Sequence, residues 1–176
     1  MLYASTKAKA RIGSLGHYFH AGDSLTNKLG LASASYELVA ALPKVIRYFG
    51  DNREERRERW DAISRHEEGL QRILLNYLIN RSDVKVYGYS SADRTKRVPV
   101  ISFWVTGRNS QSIVKEIEQK SLFGCRSGHF YSKRLVDEVL NVQDESGVIR
   151  VSLVHYNTEE EIEGFVEILD DVLESR

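Results

Sequence analysis

Cysteine is almost absent from this chain, which has a single one, Cys125, among 176 residues. A lone thiol excludes an internal disulfide and a metal site built from several thiolates, and it favours a reducing compartment such as the cytoplasm. An excess of either charge is also absent, since Lys plus Arg and Asp plus Glu both number 25. A neutral chain offers no overall electrostatic attraction to nucleic acid or to an anionic membrane. We therefore expect neither as a partner.

Long hydrophobic runs are missing as well. The longest, such as the one within VPVISFWV at 98–105, are far shorter than the roughly 20 residues of a membrane-spanning helix. The opening MLYASTKAKARIG places its apolar residues before its basic ones, the reverse of a secretory signal. These patterns predict a soluble cytoplasmic protein. Its 41% hydrophobic and 28% charged residues are typical of one globular domain, with at most a short appendage.

The first half of the chain is predicted to be loop followed by helices. Glycines interrupt residues 1–30, whereas 33–48 and 53–80 carry apolar residues near a 3.6-residue period. Gly50 and Asn52 are expected to end the first helix and cap the second. The run REERRER lies on the outer face of the second helix. Its interleaved glutamates favour a solvated surface over a nucleic-acid site.

Strand patterns dominate from residue 84 onward, where β-branched and aromatic residues alternate with segments of helical spacing. The predicted strands span 84–89, 98–105, 122–126 and 148–156, and the predicted helices span 109–120, 132–140 and the residues from 158 onward. This order fits an α+β, two-layer fold in which helices cover one face of a small, mostly antiparallel sheet. The helices of 33–80 would lie against or beside it.

Cys125 stands four residues before His129, a pair of residue types that can form a nucleophile and its base. In the predicted strand 122–126, however, side chains alternate between faces, and nothing directs Arg126 or His129 onto the sulfur. A free cysteine among apolar neighbours is usually a small buried apolar residue. We therefore predict burial for Cys125 and no catalytic thiol.

Two further patterns concern ligand binding. His17, His20 and Asp23 have a spacing that metal ligands can have, but loop histidines without cysteines or an HExxH helix are usually just exposed, so no metal site is predicted. Arg150 lies inside the predicted strand VIRVSLVHY. Such an arginine either sits on a wet sheet face or is held to bind a carboxylate or phosphate through its planar fork. The pattern alone leaves these two alternatives equal.

Three segments together resemble the C-terminal part of the class V aminotransferases, the pyridoxal-phosphate enzymes that include cysteine desulfurases. They are CRSGHFYSKRL, where the family carries Arg-Thr/Ala-Gly-His-x-Cys; IRVSLVHYNTEEEIEGFVEIL, where it carries Arg-x-Ser-x-x-x-Tyr-Asn-Thr; and LASASYELVAAL. The resemblance covers essentially the whole chain. It implies the small C-terminal domain of a fold type I pyridoxal-phosphate transferase at 81–176, connecting helices at 33–80, and a remnant of the large cofactor domain at 1–32.

The resemblance also assigns site residues. Arg150 matches the arginine that binds the substrate α-carboxylate, and Arg126 and His129 match the loop on the substrate side of the pocket. Ser33, with Ser35 as the alternative, matches the hydroxyl that reaches a cofactor phosphate across a dimer interface. Tyr131 stands where the desulfurase thiol would be, so cysteine desulfuration is not expected.

The Schiff-base lysine of the family lies just before a strand that Met1 to Ala4 would complete. Lys7 and Lys9 follow that strand, so the resemblance implies no catalytic residue and no covalently bound pyridoxal phosphate in this chain. We expect a truncated protein that recognises amino-acid-like molecules but is inactive alone, with exposed apolar residues at 33–49 and 15–19. The alternative is a non-catalytic binding or regulatory module that forms a homodimer or associates with a longer paralogue. A third, weaker interpretation is an unrelated α+β small-molecule-binding domain.

Overall fold

The computed structural model describes residues 3–13, 24–30, 35–142 and 144–175. The chain divides into two units, Met1–Glu55 and Arg56–Arg176. Among the described residues, no helix has both the length and the apolar character needed to cross a membrane.

The first unit contains helices and connecting loops. Its helices are α1 (Thr6–Arg11), α2 (Leu25–Leu29), α3 (Tyr36–Phe49) and the beginning of α4 (Arg53–Ile79). Gly50, with a φ of 123°, ends α3, and the side-chain oxygen of Asn52 accepts hydrogen bonds from the N–H groups of Glu54 and Glu55 at 2.9 and 3.0 Å. The predicted stop and cap are therefore confirmed.

Helix α3 leaves its apolar side chains in solvent. None of its residues is buried, and Tyr36 and Leu38 are 79% and 71% exposed. The exposed apolar surface expected at 33–49 is thus confirmed for α3, whereas the segment 15–19 lies outside the described residues. Tyr3 and Ala4 are not in a strand, so the strand tail expected at 1–4 is wrong for these two residues.

The second unit is built on a four-stranded antiparallel sheet. Its strands are β1 (Val84–Tyr87), β2 (Val100–Val105), β3 (Arg126–Gly128) and β4 (Val148–Ser152), arranged in the order β1-β2-β4-β3. Each neighbouring pair is antiparallel. The predicted small antiparallel sheet and the α+β class are confirmed.

The main core lies on one face of this sheet. Helices α4, α5 (Ser110–Lys120) and α6 (Glu159–Glu174) pack there against Phe103 and Ile149, which are fully buried. The apolar stripe predicted on α4 is buried at Ile63, Leu70 and Leu74, but Trp60 at its start is 52% exposed. The expected helix layer on one face is confirmed by these three helices.

A second, smaller apolar cluster covers part of the opposite face. Val136, Val142 and Val148 are buried in it, with Tyr87, Trp104, Phe130 and Leu140 packed around them. Val136 belongs to a short π-helical segment, Leu135–Val139, which replaces the longer helix predicted at 132–140. That segment packs against the second face because Trp104 and Val148 alternate with the core residues Phe103 and Ile149 along their strands.

The strand predicted at 122–126 is wrong. Leu122 is fully exposed and Phe123 stacks edge-on against Phe165 of α6, with ring centroids 5.8 Å apart. β3 begins only at Arg126, where pairing with β4 starts. Residues 122–123 are apolar and belong to a loop that packs on a helix through Phe123. Sequence periodicity does not distinguish such a loop from a short strand.

Candidate functional site

Arg150 occupies the centre of a row of polar residues that crosses the sheet. In the strand register it lies opposite Ser102 of β2 and Arg126 of β3, and Ser102 lies opposite Tyr87 of β1. Directly opposed residues of antiparallel strands share a face. The row therefore lies on the second face, away from the main core.

Among the described residues, the guanidinium of Arg150 has an aromatic neighbour and no acidic one. Its Cζ lies 4.0 Å from the centre of the Phe130 ring, and its Nε is buried without a hydrogen-bond acceptor. In the described part of the chain, no carboxylate lies within ion-pairing distance of Arg150. A half-buried guanidinium that pairs with no carboxylate of the described residues suits the bidentate binding of a ligand carboxylate.

Arg126 is placed opposite Arg150 in the register, but its charged end is directed elsewhere. One of its terminal nitrogens, Nη1, lies 3.7 Å from Oε1 of Glu118 on α5, and the Arg126 side chain is 76% exposed. An ion pair this exposed contributes little stability. The structure therefore places Arg126 at the edge of the site with a weakly held acidic partner.

His129 stands at the beginning of the turn that follows β3. Its Nε2 lies 3.2 Å from the carbonyl oxygen of Glu145, an arrangement in which Nε2–H donates to that carbonyl. Its own carbonyl accepts the N–H of Ser132 at 2.8 Å. Between them, Phe130 and Tyr131 have positive φ angles of 49° and 61°, which are uncommon for residues other than glycine.

This turn is anchored to the loop before β4 by a close approach of two backbones. A Cβ placed on Gly147 would lie 2.4 Å from the carbonyl carbon and oxygen of Gly128, and Gly147 has a φ of 73°. Only glycine fits such a contact. The backbone around His129 is therefore fixed relative to the beginning of β4, the strand that carries Arg150.

Asp144 fixes the same loop to helix α5. Its carboxylate accepts the backbone N–H of Ser110 at 2.7 Å, and the Ser110 hydroxyl donates to the carbonyl of Gly147 at 2.8 Å. Burial raises the pKa of Asp144, but hydrogen bonds from Ser146 and Ser110 outweigh it and hold that pKa below its ordinary value. The loop thus joins the N-terminus of α5 to the site.

The Cys125 thiol is not part of this arrangement. It is 4% exposed and belongs to the main core, and burial, with a smaller contribution from Glu118, raises its pKa to about 11. His129 bonds to Glu145 and not to the sulfur. The predicted burial is confirmed, and the thiol is not activated for nucleophilic chemistry.

Several predicted ligand residues lie outside the described residues: Ser33, the candidate for the cofactor phosphate, and the candidate metal set His17, His20 and Asp23. Among the residues that the structure does describe, no group of three or more His, Cys, Asp or Glu could hold a metal ion. The alternative phosphate ligand, Ser35, donates its hydroxyl to a carboxylate oxygen of Glu37 at 3.3 Å.

The N-termini of helices α3, α4, α5 and α6 do not suit the phosphate of pyridoxal phosphate. A phosphate binds at a helix N-terminus when the first N–H groups are free of competing anions. Helices α3, α4 and α6 have acidic residues in their first turns, and Asp144 occupies the N-terminus of α5. The second face of the sheet suits a carboxylate, and Ser33 remains the expected phosphate ligand.

Sequence reasoning missed three aromatic residues on the sheet face that carries Arg150. Phe130 lies inside the motif CRSGHFYSKRL but has no role in it, and Tyr87 and Trp104 looked like ordinary strand aromatics. Tyr87 Oη and Trp104 Nε1 are buried without acceptors, and burial raises the Tyr87 pKa. Alternation within each strand gives these residues a common face, but only the strand register, which the sequence does not specify, aligns Tyr87 with Arg150.

Comparisons with known proteins identify the family of this chain. A family model described as aminotransferase class-V matches residues 38–165. The chain is 48% identical over 173 residues to the aminotransferase-like protein FGM3 of Gibberella zeae, covering 98% of this chain and 42% of that protein. It is 36% identical over 174 residues to the cysteine desulfurase-like protein ustD of Aspergillus flavus, covering 98% of this chain and 38% of that one.

Among solved structures, the fold is similar to the Escherichia coli cysteine desulfurase CsdA, with a TM-score of 0.66, 17% identity, and coverage of 93% of this chain and 37% of that one. At that identity the likeness concerns the fold alone. The chain spans about two fifths of the length of the curated relatives FGM3 and ustD. The family match extends over most of the chain and includes both arginines and His129. The chain therefore belongs to the class V aminotransferase family, which is pyridoxal-phosphate-dependent.

Proposed function

We propose that this chain supplies the substrate-carboxylate site of a pyridoxal-phosphate-dependent, class V aminotransferase-like protein that acts on amino-acid-type substrates. The observation that carries the proposal is the half-buried guanidinium of Arg150, which has no acidic partner among the described residues and an Nε without an acceptor. In this proposal residues 81–176 form the small domain, 33–80 connect it, and 1–32 belong to the large cofactor domain.

The residues around Arg150 would divide the recognition of a substrate between them. Arg150 binds the α-carboxylate with two parallel N–H bonds. Arg126, released from Glu118, adds a second positive charge at the edge of the sheet. His129 is held by the Glu145 carbonyl and presents its other ring nitrogen, Nδ1, on the same turn.

The cofactor, when bound, supplies the electron sink for chemistry at the substrate α-carbon. Recognition of a carboxylate without that sink lowers no barrier, because binding alone does not favour the transition state over the substrate. We propose that this chain contributes no Schiff-base lysine and is inactive by itself. Borohydride treatment with pyridoxal phosphate should then label no lysine more strongly in the folded chain than in the unfolded one.

The carboxylate site is tested by NMR titration with two probes, L-alanine and L-alaninamide, in which a carboxamide replaces the carboxylate. We expect Arg150→Gln to weaken L-alanine binding at least about tenfold, the usual scale for removing a charged hydrogen-bond partner, and to leave L-alaninamide binding unchanged. Arg134→Gln, which alters a 90% exposed arginine paired with Glu138, is the matched control. Equal L-alanine affinity in the wild type and Arg150→Gln would show the proposal to be wrong.

A non-catalytic binding or regulatory module is the second candidate function. The exposed apolar side chains of α3 favour it. This helix has no buried residue, and an exposed apolar surface is typical of an interaction site. In this alternative the chain associates with a second copy or with a longer paralogue, and Arg150 senses an amino-acid-like ligand without transforming it.

A further inference from the structure

Arg150 differs from Arg81 and Arg94, two other partly buried arginines of the second unit, in what holds its guanidinium. Arg81 pairs with Asp83, Asp170 and Glu174 at 3.0 to 3.1 Å, and Arg94 pairs with Asp61 at 2.9 Å. Arg150 has instead the ring of Phe130, 4.0 Å from its Cζ. An aromatic face attracts a cation through its quadrupole but accepts none of the strong N–H bonds that a carboxylate would take.

The turn that presents this ring is a specific and unusual one. Phe130 and Tyr131 both adopt positive φ, and the turn is closed by the bond from the Ser132 N–H to the His129 carbonyl. The side chains of Phe130 and Tyr131 therefore point in different directions. Tyr131 is fully exposed, whereas the Phe130 ring reaches the second face and packs against the cluster of Val136, Val142 and Val148.

We propose that Phe130 is the positioning residue of the carboxylate site: its ring holds the Arg150 guanidinium in place while leaving the N–H groups for a ligand carboxylate. An acid at the same place would also hold the arginine, but it would satisfy those N–H groups and compete with the ligand. The inference rests on the proposed function of Arg150 and extends it to a residue that does not itself touch the ligand.

The test compares two substitutions at this position. Phe130→Leu keeps an apolar side chain in the second cluster but removes the aromatic face, and Phe130→Tyr keeps the face. We expect Phe130→Leu to weaken L-alanine binding roughly 2- to 30-fold, the range of cation–π contributions, and Phe130→Tyr to restore it to near the wild-type value. L-alaninamide binding should change in neither variant.

A spectroscopic signature separates positioning from general damage to the fold. The Nε–H proton of Arg150 should be shifted upfield by the ring current of Phe130, and the shift should disappear in Phe130→Leu and persist in Phe130→Tyr. Thermal unfolding of each variant shows whether it is folded. A folded Phe130→Leu protein that binds L-alanine like the wild type would overturn the inference.

Failure of the inference is distinguishable from failure of the proposed function. If Arg150→Gln leaves L-alanine binding intact, the carboxylate site itself is wrong. If Arg150→Gln abolishes binding and Phe130→Leu does not weaken it, only the role of Phe130 is wrong. The double variant Phe130→Leu/Arg150→Gln should bind L-alanine as weakly as Arg150→Gln alone, because the ring acts through the guanidinium. A further loss of L-alanine affinity in the double variant would overturn the inference.

Discussion

Burial decides the chemistry of Cys125, although its neighbours in sequence include a histidine and an arginine. The thiol lies in the main core, 4% exposed. Arg126 lowers its pKa, but burial and Glu118 raise it by more. A sequence motif that combines thiol, histidine and positive charge therefore predicts reactivity only when the sulfur lies outside the core and within reach of the charges.

We expect Cys125 to react slowly with iodoacetamide in the folded protein. Its pKa, raised from 9.0 to about 11, lowers the thiolate fraction at pH 8 by roughly 100-fold, and burial reduces access further. The rate should rise steeply in denaturant. A matched control is Cys125→Ala combined with Tyr131→Cys, which places the only thiol at a fully exposed position and should react quickly in the folded state. Equal rates for the two folded proteins would contradict the burial argument.

Gly147 should tolerate no side chain. Gly147→Ala would place Cβ 2.4 Å from the Gly128 carbonyl, so we expect a loss of more than about 3 kcal/mol in the free energy of unfolding, measured with urea. Gly88→Ala is the control, because Gly88 also has a positive φ, 86°, but an open space around its Cβ. That variant should lose only about 1 to 2 kcal/mol, the cost of the backbone conformation. Similar losses for both would argue against the close contact.

At the scale of elements, the loop 144–147 connects the site to helix α5 through Asp144. The carboxylate satisfies the N–H of Ser110, and Asn109 caps the N–H of Ser112 at 2.9 Å. A negative charge at a helix N-terminus is stabilising because the first N–H groups and the helix dipole are positive there. The same contacts hold the loop that supports Gly147 and His129.

The stability contributed by Asp144 should depend on pH. Its folded pKa is lowered, so the contribution is present above the unfolded pKa, near 3.8, and is lost as the pH falls through the folded value. We expect Asp144→Asn to cost about 1 to 2 kcal/mol at pH 7 and the difference from wild type to shrink below about pH 4. Urea unfolding at several pH values measures it. The control is Asp137→Asn, which alters an exposed carboxylate paired with Lys133 and should cost well under about 1 kcal/mol. An Asp144→Asn penalty that does not change with pH would contradict the stabilising role of the Asp144 carboxylate.

The elements that the sequence predicts correctly are those whose own residues determine them. Helices α4, α5 and α6 carry apolar stripes, and Thr158 with Glu161 forms a capping box at the start of α6. β3 is different, because Arg-Ser-Gly has no apolar alternation and becomes a strand only by pairing with β4. Register is a tertiary property, so the sequence does not predict short edge strands of this kind.

The same limit applies to the site. Arg150 could be singled out because an arginine within an apolar strand is unusual, and the family resemblance gave it a role. Phe130 could not, because its position depends on two successive residues with positive φ, a conformation rare outside glycine and asparagine. The row from Tyr87 to Arg126 likewise depends on strand pairing and has no signature in one sequence.

At the scale of the whole molecule, the exposed helix α3 sets the behaviour of the isolated chain. Val39, Val45, Ile46 and Tyr48 are each about half exposed, in addition to Tyr36 and Leu38. Contiguous apolar side chains in water favour association, because an interface removes their apolar surface from water. This surface belongs to the first unit and is a property of that unit alone.

We expect the isolated chain to associate through α3, which sedimentation over a range of concentrations would measure. Leu38→Lys combined with Val45→Lys places two charges one above the other on α3 and should restore a monomer. Val98→Lys combined with Tyr156→Lys changes two exposed apolar residues elsewhere, 68% and 76% exposed, and should leave association unchanged. A wild-type chain that remains monomeric at high concentration would contradict the role of α3, and with it the main support for the binding-module alternative.

The contact between Gly128 and Gly147 has a consequence for protein engineering. This contact fixes the turn on one side, and the hydrogen bond from the Ser132 N–H to the His129 carbonyl fixes it on the other. The side chain of Tyr131 projects into solvent. Position 131 can therefore be diversified at little cost to folding, with asparagine, aspartate and glycine best suited to its positive φ. A library at this single position would vary the chemical group beside the site while its frame stays constant.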